Sequence, residues 1–436
     1  MATKQSKTQS SSRAIAAIIL GRVLQHKGSL ASELGGRVRI DAEHLTEVRE
    51  FCFGVMRWYF ELDGLLQQLL KKGIRNKDSD LRALLLIGLY QAKHMRVPVH
   101  ASVSETVAAA GVLNKQWAKA LINAVLRNYE RQTDELHSNL SPAQRQAFPD
   151  WLFNHINTNW PLNSESIFEA SNGRPPMTIR VNAQHHTREQ YLEILATNAI
   201  EAHISTTSMS AITLEKPTDV FSLPGFELGE VSVQDSSAQL AAELMDLEPG
   251  HHVLDACCAP GGKTGHLLEY CDGIDLDAVD NNAQRLSRVE ENLQRLGVQA
   301  NLVVADAGEA AQWSWPSSEY DRILLDVPCS ATGVLRRNPD IKFLRRADDL
   351  APLHAQQQSI LHSSWQRLKP GGKLLYATCS ILPEENEQII AAFVETHSDA
   401  TPDPISATWG EQRSFGRQLL PAQHDGFYYC RLLKAN

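Results

Sequence analysis

Apolar residues recur three and four positions apart from Ser12 to about Arg131. The pattern runs through SRAIAAIILGRVL, HLTEVREFCFGVMRWYFELDGLLQQLL, DLRALLLIGLYQAKHM, SVSETVAAAGVL and WAKALINAVLRNYE, with Gly, Pro and Asn at the breaks. That spacing predicts a helical bundle. Between about 141 and 240 the character is mixed. MTIRVNA and AITLEKP read as strands, TREQYLEILATNAI reads as a helix, and the Pro pair of GRPPMTIRVN opens a small α+β unit. After VQDSSAQLAAELM and the turn EPG, the runs HHVLDAC, DLDAVD, NLVVAD, YDRILLDVP, KLLYATC and GFYYCRLL alternate with helical stretches. Such alternation predicts a mainly parallel, doubly wound α/β sheet, which takes ligands outside the C-terminal ends of its strands. The expected organisation is therefore multidomain: an all-α part over 1–140, a small α+β part over 141–240 and an α/β part over 241–436.

A chain of 436 residues exceeds one ordinary core. Its 43% hydrophobic and 21% charged residues exclude a disordered or fibrous class. Basic residues precede AIAAIIL, as in a signal peptide, but the run is short, Gly21 and Arg22 break it, and helical periodicity continues beyond. No apolar run reaches the roughly 18 residues of a membrane span. Seven cysteines without a CxxC pair point to a reducing, cytoplasmic setting and to no metal site. The net charge of −9 hides an asymmetry: residues 1–150 carry 21 basic against 14 acidic side chains, +7, and the remainder 21 against 37, −16. A basic docking module joined to an acidic body is the reading that follows.

The first strand of the α/β part runs into Cys257, Cys258, Ala259, Pro260, Gly261, Gly262 and Lys263. Two glycines allow a tight turn and close approach to a ligand, and the next helix offers free N–H groups. A phosphate-cradling G-x-x-x-x-G-K loop would need Gly where Cys257 stands, and no Gly-x-Gly is present for a dinucleotide. What remains is a nucleoside site such as S-adenosylmethionine requires. Asp280, at the end of the second strand, is placed for ribose hydroxyls, or to cap the next helix. Asp306, after the third strand, is placed for an adenine edge, or to form a turn.

LLDVPCSATG ends the fourth strand with Asp326, Pro328 and Cys329, and YATCS ends the fifth with Cys379. Strand neighbours lie roughly 5 Å apart, so adjacent strands would bring both thiols to one pocket. Carbon methylation of a pyrimidine explains such a pair. C5 of cytosine is a poor nucleophile until a thiolate adds at C6, and the adduct must then lose its C5 proton and expel the thiolate. Asp326 is suited to the ring N3 and exocyclic amine. Lys263 either tunes a thiol or bridges to Asp326. The residues alone do not order the two thiols.

CCAPGGKT, DVPCSATGVLRRNPDIKF and YATCSILPEENE resemble the signature motifs of the Sun/nucleolar-protein family of RNA cytosine-5 methyltransferases. LIGLYQAKHMRVPVHASVSETVAAA with LINAVLRNY resembles NusB, a small RNA-binding helical protein. Together the likeness covers nearly the whole chain. It implies a NusB-like bundle ahead of a Rossmann-like methyltransferase domain, S-adenosylmethionine as cofactor, and methylation of C5 of a cytosine in 16S ribosomal RNA. It further implies Cys379 as the nucleophile and Cys329 as the group assisting release. Cys258 stands where the family usually has Ala, and ADAGE replaces the common G-D-G-R, so the likeness carries no Arg beyond Asp306.

GVLRRNPDIKFLRR gathers Arg336, Arg337, Lys342, Arg345 and Arg346 just after the Asp-Pro-Cys motif, and is expected to grip phosphates beside the reacting base. The base itself would have to come from a loop or be flipped out of its stack. The partner is then 16S rRNA or an early small-subunit assembly intermediate, with no membrane and a monomeric enzyme. The competing expectation is a non-catalytic RNA-binding assembly factor whose helical part does the work.

Overall fold

The computed structural model describes residues 11–38, 40–95, 97–309 and 319–436. Two units emerge. One runs up to Ser164 and takes in the distant segment Leu335–Ala347; the other comprises Glu165–Val334 and Asp348–Asn436.

The first unit is built on the helices Ser12–Leu24, Ala42–Arg57, Tyr59–Leu69, Ser79–His94, Val99–Val112 and Lys119–Arg131. Their apolar stripes meet in one core that includes Ile19, Leu20, Phe51, Val55, Leu62, Leu84, Ile87 and Leu126. Gly21 does not break its helix, because the helix needs it: a Cβ there would meet the backbone of Asp80 at 2.9 Å. The long helical stretch from 44 to 70 divides at Trp58, which leaves helical geometry at φ −106°, ψ 15° while its ring stacks on His94 at 4.2 Å.

In the second unit the small sheet contains β1 (Met177–Val181), β2 (Ala202–Ile204), β3 (Ala211–Leu214) and β4 (Val231–Val233) in the antiparallel order β2-β3-β1-β4. The helix Arg188–Thr197, started by a capping box between Thr187 and Gln190, covers it. Sequence periodicity marked β1 and β3; β2 and β4 have three residues each, too few to show alternation.

The large sheet has five parallel strands: β5 (His252–Ala256), β6 (Asp275–Asp280), β7 (Asn301–Val304), β8 (Tyr320–Asp326) and β9 (Leu368–Thr378). Short antiparallel strands β10 (Ala400–Asp403), β11 (Glu411–Gln412) and β12 (Arg417–Leu419) join it through β13 (Phe427–Lys434), which runs antiparallel to β9. The order is β11-β12-β13-β9-β8-β5-β6-β7, with β10 also on β13. From β5 the chain proceeds outward to β6 and β7 and then returns to place β8 on the other side of β5. That reversal opens a crevice at the strand ends, where doubly wound sheets bind ligands. Among the described residues no helix is long and apolar enough to cross a membrane.

The segment expected to grip phosphates is packed into the first unit, and this corrects the reading of two of its cations. Arg336 and Lys342 are only 3% and 1% exposed. Lys342 donates to the carbonyls of Arg57 (2.5 Å) and Ala147 (2.9 Å) and lies 4.6 Å from the ring centre of Phe148. The carbonyl of Arg336 accepts from Arg57, Asp340 accepts from the Leu30 N–H, and Phe343 stacks on His26 at 4.9 Å. Apolar Phe343 and Leu344 against the helical core decide the placement, and the cations between them follow. Arg337 and Arg345 are half-buried, and Arg346 is exposed.

Candidate active site

The turn from β5 into the helix Gly262–Tyr270 is stitched by the Cys258 N–H on the Val279 carbonyl (2.9 Å) and the Gly261 N–H on the Cys258 carbonyl (2.8 Å). Gly261 adopts φ +93°, and a Cβ on it would press on Val289 at 3.0 Å, so only glycine fits. Burial pushes the Cys257 and Cys258 thiols up, which keeps them protonated.

Asp280 ends β6 with its side chain almost wholly buried. It accepts from the N–H groups of Ala259 (3.4 Å) and Asn282 (3.0 Å), and Arg285 faces it at 3.5 Å. The cap of the following helix is Asn282, which accepts from Gln284 and Arg285, so Asp280 is not spent on capping. Asp306 accepts from the Gly308 N–H at 2.8 Å and so does form a turn.

Lys263, in the first helical turn, donates to Asp326 at 2.7 Å and lies 4.8 Å from the centre of the Phe427 ring. Burial works against its ammonium. The charge and hydrogen bond of Asp326 outweigh that burial, and the net effect raises the Lys263 pKa. Deeper in, burial lifts Asp255 to about 7, against the lowering effect of the hydrogen bond from Thr264.

Strands β8 and β9 are parallel neighbours with Asp326 opposite Ala377. Their ends bring the Cys329 and Cys379 sulfurs to 3.4 Å. Cys329 is buried and Cys379 half-buried. The hydrogen bond to Cys379, and then burial, raise the Cys329 pKa well above the usual thiol range.

A cleft of about 390 Å³ runs along these ends, lined by Cys257, Ala259, Asp280, Asp306, Asp326, Cys329 and Cys379 among others. The strand-end carboxylates, Cys257 and Ala259 of the turn, and both thiols thus share one cavity, whereas Cys258, Pro260, Gly261 and Gly262 do not line it. Lys263 reaches it through Asp326. Two contributors had no sequence signal of their own: Arg285 and Gln356. The buried Glu385 behind the two thiol loops lies within the motif YATCSILPEENE, but the motif by itself gives it no role. Among the described residues no group of His, Cys, Asp and Glu could hold a metal ion.

Comparison with known proteins agrees with this architecture. Residues 242–433 match the model of the 16S rRNA methyltransferase RsmB/F family, residues 148–221 the ferredoxin-like domain of RsmF/B-like methyltransferases, and residues 10–131 the NusB family. The chain is 48% identical to ribosomal RNA small subunit methyltransferase B of Pseudomonas syringae, covering 97% of this chain and 96% of that one. Against the protein of the same name from Pseudomonas putida it is 46% identical, over 97% and 98%. The solved structure of PH0851 shares the fold, with a TM-score of 0.79 and 23% identity over 98% of this chain and 99% of that one. With near-full-length identity at this level, the chain belongs to the RsmB/F family of 16S rRNA methyltransferases.

Proposed function

We propose that the protein methylates C5 of a cytosine in 16S ribosomal RNA, with S-adenosylmethionine as methyl donor and a covalent bond between Cys379 and C6 of the base. The carrying observation is the 3.4 Å approach of two thiols at adjacent strand ends, beside the Lys263–Asp326 pair.

The cleft fits a nucleoside cofactor. Apolar Val279, Ala305 and Ile360 line it together with the hydrogen-bond acceptors Asp280, Asp306 and Asp326. When bound, S-adenosylmethionine supplies an electrophilic sulfonium methyl. Asp280 would take the ribose hydroxyls and Asp306 the adenine edge, with the turn Cys257–Lys263 closing one side.

The more exposed thiol, Cys379, is the one a base can reach. Its sulfur bonds to C6 as its proton is given up to N3, and the displaced π electrons make C5 enamine-like and nucleophilic. Asp326, kept in place by the Lys263 ammonium, engages N3 and the exocyclic amine where charge changes during addition. After methylation, C5 loses its proton to water, the C5–C6 double bond re-forms and the Cys379 thiolate departs; Cys329 assists this release. The target cytosine leaves its stack to be reached. The helical unit holds the surrounding rRNA, and the enzyme acts in the cytoplasm as a monomer on 16S rRNA or an early small-subunit intermediate.

Bisulfite sequencing of rRNA from cells with and without the gene locates the methylated cytosine. Cys379→Ala is expected to abolish methylation, and Cys329→Ala to accumulate a denaturant-stable protein–RNA adduct. Full methylation by Cys379→Ala would overturn the assignment, and unaltered rRNA in the deletion strain would leave a non-catalytic RNA-binding factor.

A further inference from the structure

Glu385 is fully buried, 0% exposed, in the short turn Pro383–Glu385 that follows the Cys379 loop. A buried carboxylate is costly unless donors surround it. One oxygen accepts from the Ser330 N–H (2.7 Å) and the Gln357 amide (3.2 Å); the other accepts from the hydroxyls of Ser330 and Ser380, both at 2.5 Å. Ser330 directly follows Cys329, and Ser380 directly follows Cys379. A carboxylate only accepts, so both hydroxyl protons point at Glu385. The turn is itself fastened to β9, because the Tyr376 hydroxyl donates to the Glu385 carbonyl and the Thr378 hydroxyl to the side-chain carbonyl of Asn386. The carboxylate therefore reaches from its own loop across to the loop of Cys329.

The geometry points to Glu385 as a positioning residue that ties the two thiol-bearing loops together and holds Cys329 against Cys379 for release of the methylated base. This inference rests on the roles proposed above for the two thiols. Release passes the C5 proton to water, leaves that bond's electrons to restore the C5–C6 double bond, and breaks the C6–Sγ bond, whose electrons depart with the Cys379 thiolate. A sulfur displaced by about 1 Å serves that step poorly, with losses on the order of 10²-fold.

The experiment compares purified full-length Glu385→Gln, Cys329→Ala and the double variant on RNA with S-adenosylmethionine. Turnover and covalent adduct on denaturing gels are the readouts. Glu385→Gln is expected to lose turnover on the order of 10²-fold. It should also retain RNA as adduct, with the double variant retaining no more than Cys329→Ala. A merely structural role would lower turnover without adduct, and that result, or wild-type turnover, overturns the inference. Ser330→Ala and Ser380→Ala each remove one donor and keep the test open if Glu385→Gln does not fold. Wild-type turnover without adduct in both serine variants also overturns it. Absence of adduct in Cys329→Ala instead would count against the thiol roles themselves.

Discussion

Arg180 of β1 and Glu269 of the helix Gly262–Tyr270 form a bidentate ion pair, at 2.9 and 2.7 Å, with both side chains at most 3% exposed. The remaining arm of Arg180 donates to Gln234 (2.6 Å) and to the Gly262 carbonyl (2.7 Å). The small sheet thereby grips the helix that begins at the glycine turn. Removing one partner of a buried pair strands a charge and typically costs about 3–5 kcal/mol. Glu269→Gln is expected to lose about that much stability in urea unfolding. Arg180→Met combined with Glu269→Leu should recover most of it, yet still weaken S-adenosylmethionine binding by calorimetry, because Gly262 has lost its donor. Equal cofactor affinity in the double variant would detach Arg180 from the turn.

Asp255 titrates in the wrong place for an ordinary carboxylate. Burial raises it from 3.8 to about 7, with one oxygen taking the Thr264 hydroxyl at 2.7 Å. A raised carboxyl binds its proton more tightly folded than unfolded. Its contribution is thus fully present below pH 3.8 and is lost as pH rises through about 7. Asp255→Asn does not titrate. Its stability relative to wild type should improve between pH 4 and pH 8, by about 4 kcal/mol at most. Parallel pH profiles of the two proteins in denaturant unfolding would contradict the shift.

The parallel strands were legible because each is an apolar run ending in a residue of different chemistry: Asp280, Asp326 and the thiols after β8 and β9. Two-sided burial writes a strong local signal. Strands β10 to β12 have two to four residues and owe their existence to β13, so nothing local announced them. The contact Glu385 makes was hidden for a different reason. Ser330 is 55 positions away along the chain, and the turn PEE looks solvated from its charges alone. Within the basic run 333–346, Arg336 and Lys342 misled, since counting cations ignores Phe343 and Leu344. Their packing surface is made by helices some 300 residues earlier in the chain.

Lys342 separates the two readings of that run experimentally. Burial lowers its pKa well below the usual lysine value, and its two carbonyl acceptors lie in the helical unit. Lys342→Ala removes donors from buried carbonyls and opens a cavity, for an expected loss of about 2–5 kcal/mol. A phosphate contact would instead reduce the salt slope of RNA binding by about one. Thermal unfolding should therefore show the loss, while the salt dependence of rRNA-fragment affinity stays that of the wild type. Arg346→Ala, at an exposed position, is the comparison in which stability should hold.

Asp280 and Asn282 offer the sharpest division between fold and cofactor, because they stand two residues apart. Asn282 accepts from the N–H groups of Gln284 (2.9 Å) and Arg285 (3.2 Å) and so starts its helix. Losing such a cap costs about 1 kcal/mol, and Asn282→Ala should show that in unfolding, with cofactor affinity unchanged. Asp280 lines the cleft, with Arg285 facing it at 3.5 Å. Hydrogen bonds from ribose hydroxyls to a carboxylate are worth about 1.5–3 kcal/mol, so Asp280→Ala should weaken S-adenosylmethionine binding roughly 10- to 100-fold. Turnover at saturating cofactor should fall far less, since the carboxylate is assigned to the ribose and not to the reacting base. Calorimetric titration of both variants decides it: equal affinities would move the ribose to another acceptor in the cleft.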